Sequence, residues 1–401
     1  MSEWKRYKLS DLYEMSSGIS STKEQAGHGS PFLSFSVVFN NYFLPDSLID
    51  LMDTTDGDKQ KYSINEGDIF LTRTSETVDE LAMSSVALKD YPEASFSGFL
   101  KRLRPVDKRI VYPKFMAFYL RSPLFRRTII NNTVMTLRAS FNEAMFSYLE
   151  IMLPDFDTQK KIGDFLYSLE KKKQTNNQIN QELEAMAKTL YDYWFVQFDF
   201  PDQNGKPYKS SGGKMVYNPE LKREIPEGWG VESVGNLLDK VTKAEKIENN
   251  SIEFIGEIPV IDQSQKYIAG FTNNEKALLQ PQDGHVIFGD HTRVVKYINF
   301  DYARGADGTQ VLISNNENIS NVLLYHMIED FDLSNYGYAR HFKFLKEKTV
   351  IVPDKEVSSK FETQANVIYE KIKNNIFENQ ELTQLRDWLL PMLMNGQVKV
   401  E

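Results

Sequence analysis

The chain has 401 residues, 41% of them hydrophobic and 12% aromatic, a formal net charge of −9 and no cysteine. That length predicts about two to three soluble domains with real cores. The missing cysteines exclude disulfides, thiolate metal sites and cysteine nucleophiles, and no apolar run approaches a membrane span. No apolar stretch follows Met1, so the expectation is a cytoplasmic protein without a secretory signal.

Residues 1–153 read as a mixed α/β domain. β-rich runs at Asp68–Thr72 and Leu149–Leu153 alternate with helical stretches around Pro113 to Asn131. Pro154 closes the last strand, and Asp157 or Thr158 is expected to cap a long helix within 154–200. Its heptad rows are Ile162, Leu169, Asn176, Leu183, Leu190 and Phe165, Lys172, Ile179, Met186, Tyr193. Residues 201–229 form a connector rich in Gly, Pro and Ser. A second domain spans 230–352, and a second long helix occupies 353–401, capped by Ser358 or Ser359. Its rows are Phe361, Ile368, Asn375, Leu382, Leu389 and, less apolar, Gln364, Lys371, Glu378, Leu385, Met392.

The two halves repeat. Asn180-Gln181-Glu182-Leu183 recurs as Asn379-Gln380-Glu381-Leu382 at an offset of 199, which also aligns Leu153-Pro154-Asp155 with Val352-Pro353-Asp354. Trp4, Leu9 and Leu12 match Trp229, Val234 and Leu237 at an offset of 225. A duplicated module ending in a long helix predicts an α+β fold: two pseudo-repeated mixed α/β domains separated by two long antiparallel coiled-coil helices. Asn176 and Asn375 are repeat equivalents in otherwise apolar rows, where asparagine fixes register. A central pseudo-two-fold would bring them close. The competing reading is a surface asparagine on each of two unrelated helices.

No catalytic constellation emerges. Ser210-Ser211-Gly212-Gly213-Lys214-Met215 lacks the first glycine and the Ser/Thr of a phosphate loop. No Asp/Asn-Pro-Pro-Tyr/Phe run of a base methylase is present. His285, Asp290 and His291 offer only a weak metal set. Pro154-Asp155 with Glu170-x-Lys172 resembles a nuclease signature. Those carboxylates, however, are separated by about 20 Å of helix and cannot share one ion.

Binding chemistry remains. Twelve acids and four bases occupy 40–93, whereas ten bases face one acid across 101–138. This segregation predicts either a phosphate-binding face, including Arg102, Arg126 and Arg127, or a solvated helix face. Arg73 with Thr74 and Ser75 follows a predicted strand, and Arg293 with Asp290 and His291 takes the corresponding place in the second half. Arg138 in Thr136–Phe141, and Tyr338, Arg340 and Lys343 in Tyr336–Lys343, precede the long helices. Arginine beside hydroxyl and acidic groups suits base and phosphate readout.

At these residues the chain resembles specificity subunits of type I restriction–modification enzymes. Pro259–Gln265 and Ile268–Phe271, then Phe288–Arg293 and Gly305–Leu312, are similar to one class of their target-recognition domains. Glu66–Arg73, the connector Asn204–Gly213 and Pro226–Trp229 extend the likeness. The usual Glu-Gln pair after the proline survives only as Gln159, and as Ser358-Ser359 in the second copy. The resemblance implies a noncatalytic subunit without its own cofactor, reading the two halves of a split target in double-stranded DNA. It also implies helices that act as a ruler and dock two methyltransferase subunits using S-adenosylmethionine. Motor–nuclease subunits dependent on ATP and Mg²⁺ would join them. A coiled-coil adaptor joining two protein-binding domains is the alternative from a different class, and a single-chain restriction enzyme is another. The ruler expectation is a helix from Thr158 to Trp194 spanning about 55 Å.

Overall fold

The computed structural model describes residues 4–400 except 21, 134–138, 240, 242–243, 307 and 335–339. The chain folds as two compact units, Met1–Gln174 with Asn379–Glu401, and Thr175–Glu378. Each unit therefore takes part of both long helices, whereas the sequence boundaries at 154, 201, 230 and 353 mark changes of element.

The repeat holds residue by residue. In the first unit Lys5–Lys8 pairs antiparallel with Glu150–Leu153, placing Lys5 opposite Leu153. In the second, Gly230–Ser233 pairs with Thr349–Val352, placing Gly230 opposite Val352. Long helices then begin at Phe156 and Lys355, at the repeat offset. Their caps are Asp155, whose Oδ1 accepts from the Thr158 N–H (2.9 Å), and Asp354, whose Oδ1 accepts from the Val357 N–H (2.9 Å). The caps predicted at 157–158 and 358–359 lie inside the helices. An aspartate directly after proline leaves the strand and enters the helix without a further loop residue. Cap formation holds the Asp155 carboxyl below the usual carboxylate range.

In the first unit an antiparallel sheet orders Tyr13–Ser17, Leu100–Pro105, Ile69–Thr72 and Ser84–Val86. The helical stretch after Pro113 divides into Pro113–Tyr119 and Pro123–Asn132, because Ser122 and Pro123 start a new helix. In the second unit, His285–Gly289 lies between Val295–Ile298 and Thr309–Leu312, all antiparallel, beside a second sheet ordered Gly270–Thr272, Ile258–Ile261, Tyr302–Arg304, Leu278–Leu279.

The long helices pair antiparallel within each unit. In the second, Asn176 Nδ2 donates to Glu378 Oε2 and Asn375 Nδ2 donates to Asn180 Oδ1, both at 2.7 Å and both asparagines buried. Asn176 and Asn375 thus each bond the opposite helix rather than each other. In the first unit Arg386 Nη1 pairs with Glu170 Oε2 at 3.2 Å. The first heptad row is as expected, but the second is displaced by one residue in both helices. The buried partners are Leu166, Asn180, Ala187 and Trp194, and Ala365, Ile372, Arg386 and Leu393. Ile179, Met186, Tyr193 and Leu385 stand outside the seam, exposed.

Candidate nucleic-acid interface

The strand Ile69–Thr72 of the first unit and His285–Gly289 of the second occupy the same place, and the chain leaves each through the same junction. The Arg73 N–H donates to the Phe99 carbonyl (2.8 Å), and the Arg73 carbonyl accepts from the Phe141 N–H (2.9 Å). In the second unit the Asp290 N–H donates to the Gly308 carbonyl (2.7 Å), and the Asp290 carbonyl accepts from the His341 N–H (3.0 Å). Strand register therefore makes Asp290, not Arg293, the counterpart of Arg73. Phe99 corresponds to Gly308, and Phe141 to His341.

Around this shared backbone the side chains differ. In the first unit Arg73 is exposed, its Nη1 3.4 Å from the Gly98 carbonyl, and Thr74 and Ser75 are half-buried in a strand pair with Ala139–Ser140. Asp290 is buried and accepts the Phe342 N–H at 2.8 Å, holding the helix His341–Lys346 in place. A base-reading role for Asp290 is thereby replaced by a positioning one. His291, Arg293, Arg340 and Lys343 surround it as exposed side chains. Arg293 sits at the turn with φ +64°, its N–H donating to the Gly289 carbonyl at 2.7 Å. Arg138 and Tyr338 lie outside the described residues.

Two supports were not visible as such in the sequence. Gln263 Oε1 accepts the His291 N–H (3.1 Å) and its carbonyl accepts the Thr292 hydroxyl (2.6 Å). Buried Lys296 donates from Nζ to the carbonyls of Asp262 (2.8 Å) and Lys266, clamping the loop that carries Gln263. Burial lowers the Lys296 pKa to about 8, with Asp262 opposing that shift. Gln263 belongs to the motif Pro259–Gln265 that carries the resemblance. Lys296 gave no signal, because nothing in its neighbours marks a strand lysine as inward-facing.

The strand part of the basic segment offers no phosphate face. Leu100–Pro105 is an interior strand of the sheet, so its cations are spent internally. Lys101 is buried against Glu143 (2.7 Å) and Ser17 (2.9 Å). Arg102 is buried, donates to the Ser63 carbonyl (2.6 Å), and lies over the Phe96 ring, which removes it from the interface. Burial lowers its pKa. Arg104 holds fully buried Asp68 through two hydrogen bonds of 2.8 and 2.6 Å. Arg121 donates to the carbonyls of Ser84, Val38, Phe39 and Asn41. Arg126 is half-buried near the Val78 carbonyl, and Arg127 is exposed.

The motifs weighed for catalysis are occupied elsewhere. Asp155 caps its helix and Glu170 pairs with Arg386. His285 is buried against the Tyr302 hydroxyl (3.0 Å). Among the described residues no three His, Cys, Asp or Glu side chains converge as metal ligands, and no helix is long and apolar enough to cross a membrane.

A sequence profile described as "Type I restriction modification DNA specificity domain" matches residues 1–185. The type I restriction enzyme MjaIX specificity subunit of Methanocaldococcus jannaschii is 25% identical over 282 residues, 63% of this chain and 61% of that one. The HindI specificity subunit of Haemophilus influenzae is 24% identical across 99% of this chain and 100% of its own length. The type I restriction–modification S subunit of M. genitalium shares the fold, with a TM-score of 0.57 at 14% identity, covering 98% of this chain and 96% of that one. With a match to the DNA specificity domain profile over residues 1–185 and similarity along almost its whole length to the HindI subunit, the chain is similar to type I restriction enzyme specificity subunits.

Proposed function

We propose that the chain is the DNA-recognition subunit of a type I restriction–modification complex. Each unit reads one half of a split target in double-stranded DNA through its strand-end junction. The observation that carries this reading is the junction itself: one backbone arrangement built twice, with Arg73 displayed on one copy and Arg293, Arg340 and Lys343 around the other. Exposed arginines there suit guanine or phosphate contacts, and the differing side chains suit an asymmetric target.

Chemistry is assigned to partners. Two methyltransferase subunits using S-adenosylmethionine modify the target, and motor–nuclease subunits using ATP and Mg²⁺ cleave DNA, all in the cytoplasm. The apolar residues outside the helix seam supply the docking surface. In the second unit Met186 is 58% and Val367 70% exposed, beside a groove of about 780 Å³ that Tyr193 and Ile368 also line. In the first unit Leu385, the repeat equivalent of Met186, and Trp388 are exposed. Apolar rows at heptad spacing fit a partner's helices. Alone, with a net charge of −9, the chain is expected to bind DNA poorly.

The test is methylation mapping in cells that carry the methyltransferase partner, with and without this gene. A split motif methylated only when the gene is present is the expected result. An identical methylation pattern in both strains contradicts the proposal.

A further inference from the structure

We propose that Phe99 contacts bases, supplying an apolar surface for a thymine methyl group in the major groove. This rests on the DNA-reading function above. Phe99 is 65% exposed, while its neighbours Phe96 and Leu100 are fully buried. The tip that carries it is fixed from several sides. The Gly98 N–H donates to the Ile19 carbonyl (2.7 Å) and the Ser97 N–H to the Leu33 carbonyl (3.0 Å). The Phe99 N–H donates to Ser97 Oγ (3.3 Å), and its carbonyl receives the Arg73 N–H (2.8 Å). Gly18 allows the closest approach, since a Cβ there would lie 2.2 Å from the Ser97 carbonyl oxygen. The ring is therefore held outward by an ordered backbone and little further ordering accompanies binding.

The second unit sharpens the assignment. Its counterpart, Gly308, has φ +70°, and a Cβ there would meet His291 Cδ2 at 2.7 Å. One junction carries a ring, whereas at the other the left-handed backbone strains any side chain. A ring beside an exposed arginine pairs the two chemistries by which a groove-reading surface separates bases: apolar contact for the thymine methyl and a cationic fork for guanine or phosphate.

The experiment uses the chain assembled with its methyltransferase subunits. Methylation rates are measured on the cognate duplex and on duplexes in which each thymine of either half-site is replaced by uracil, which deletes only the methyl. Phe99→Ala, Phe99→Leu and, as an exposed apolar control outside the junction, Ile49→Ala are compared with wild type. Wild type is expected to lose about tenfold in rate at one thymine of one half-site. Phe99→Ala should be slow on the cognate duplex and indifferent to that change, Phe99→Leu intermediate, and Ile49→Ala like wild type. Equal thymine sensitivity in wild type and Phe99→Ala overturns the proposal. So does a folded Phe99→Ala that no longer binds the methyltransferase, which would make the ring a protein contact. A wild-type assembly without sequence-specific methylation removes the reading of function, and this proposal with it.

Discussion

At the strand-end junction the two units share two backbone hydrogen bonds and almost nothing else. Arg73 faces solvent, whereas Asp290 in the same position is buried and turned onto the Phe342 N–H. The first unit binds Lys101 through Glu143 on the helix after its junction, whereas the corresponding helix of the second displays exposed Lys343. Duplication has thus kept the main-chain frame that orders the loops, while the side chains on it have separated into different surfaces. A frame satisfied by backbone groups tolerates such divergence, because changing a displayed side chain leaves no buried donor or acceptor unpaired.

The largest expected difference between the units is their response to acid. The second unit buries His285, whose pKa burial lowers to about 4. Its charged form is disfavoured in the fold, so stability is full above about pH 6.5 and falls as the pH drops toward 4. The loss is on the order of 3 kcal/mol. Acid-dependent unfolding should lose most of this slope in His285→Gln, and a slope unchanged by the substitution would place the acid sensitivity elsewhere.

Equivalent substitutions at the junction should separate stability from recognition. Asp290→Ala leaves a helix-initiating N–H without its acceptor and should cost about 1–3 kcal/mol in urea or thermal unfolding. Arg73→Ala should stay within about 0.5 kcal/mol of wild type while weakening one half-site. Equal destabilisation by both would erase the distinction.

The helix pair gives an effect of similar or smaller size. Asn375→Leu strands the Asn180 amide in the seam and should cost about 1–2 kcal/mol, whereas Asn180→Leu with Asn375→Leu should recover most of it. A double-mutant cycle with no coupling would mean the bond contributes only geometry. Smallest is Arg127→Ala in the assembled complex, expected to reduce the slope of log affinity against log salt by about one. An unchanged slope would take Arg127 out of the phosphate contacts.

Much of the architecture was legible because repeats are covalent facts: the recurring segments announced two similar halves, each ending in a long helix, although both helices start before the caps read from the sequence. The helix seam was half legible. Ile179, Met186 and Tyr193 imitate a buried row because apolar residues look alike whether they face the partner helix or solvent. The basic stretch misled for a related reason. Charge says nothing of burial, and Arg102 and Arg104 sit on an interior strand with their partners supplied by Ser63 and Asp68. The pairing of Arg73 with Asp290 could come only from strand register, since the loops beyond these strands differ in length and sequence.

The central claim, that each junction reads its own half of one target, is tested most directly by reciprocal mapping. Assemblies carrying Arg73→Ala, or Arg340→Ala with Lys343→Ala, are each mapped for the sequences they methylate. Relaxed preference is expected in one half-site for the first variant and in the other half-site for the second, with the gap between halves unchanged. Both variants altering the same half-site, or neither altering any, would contradict it.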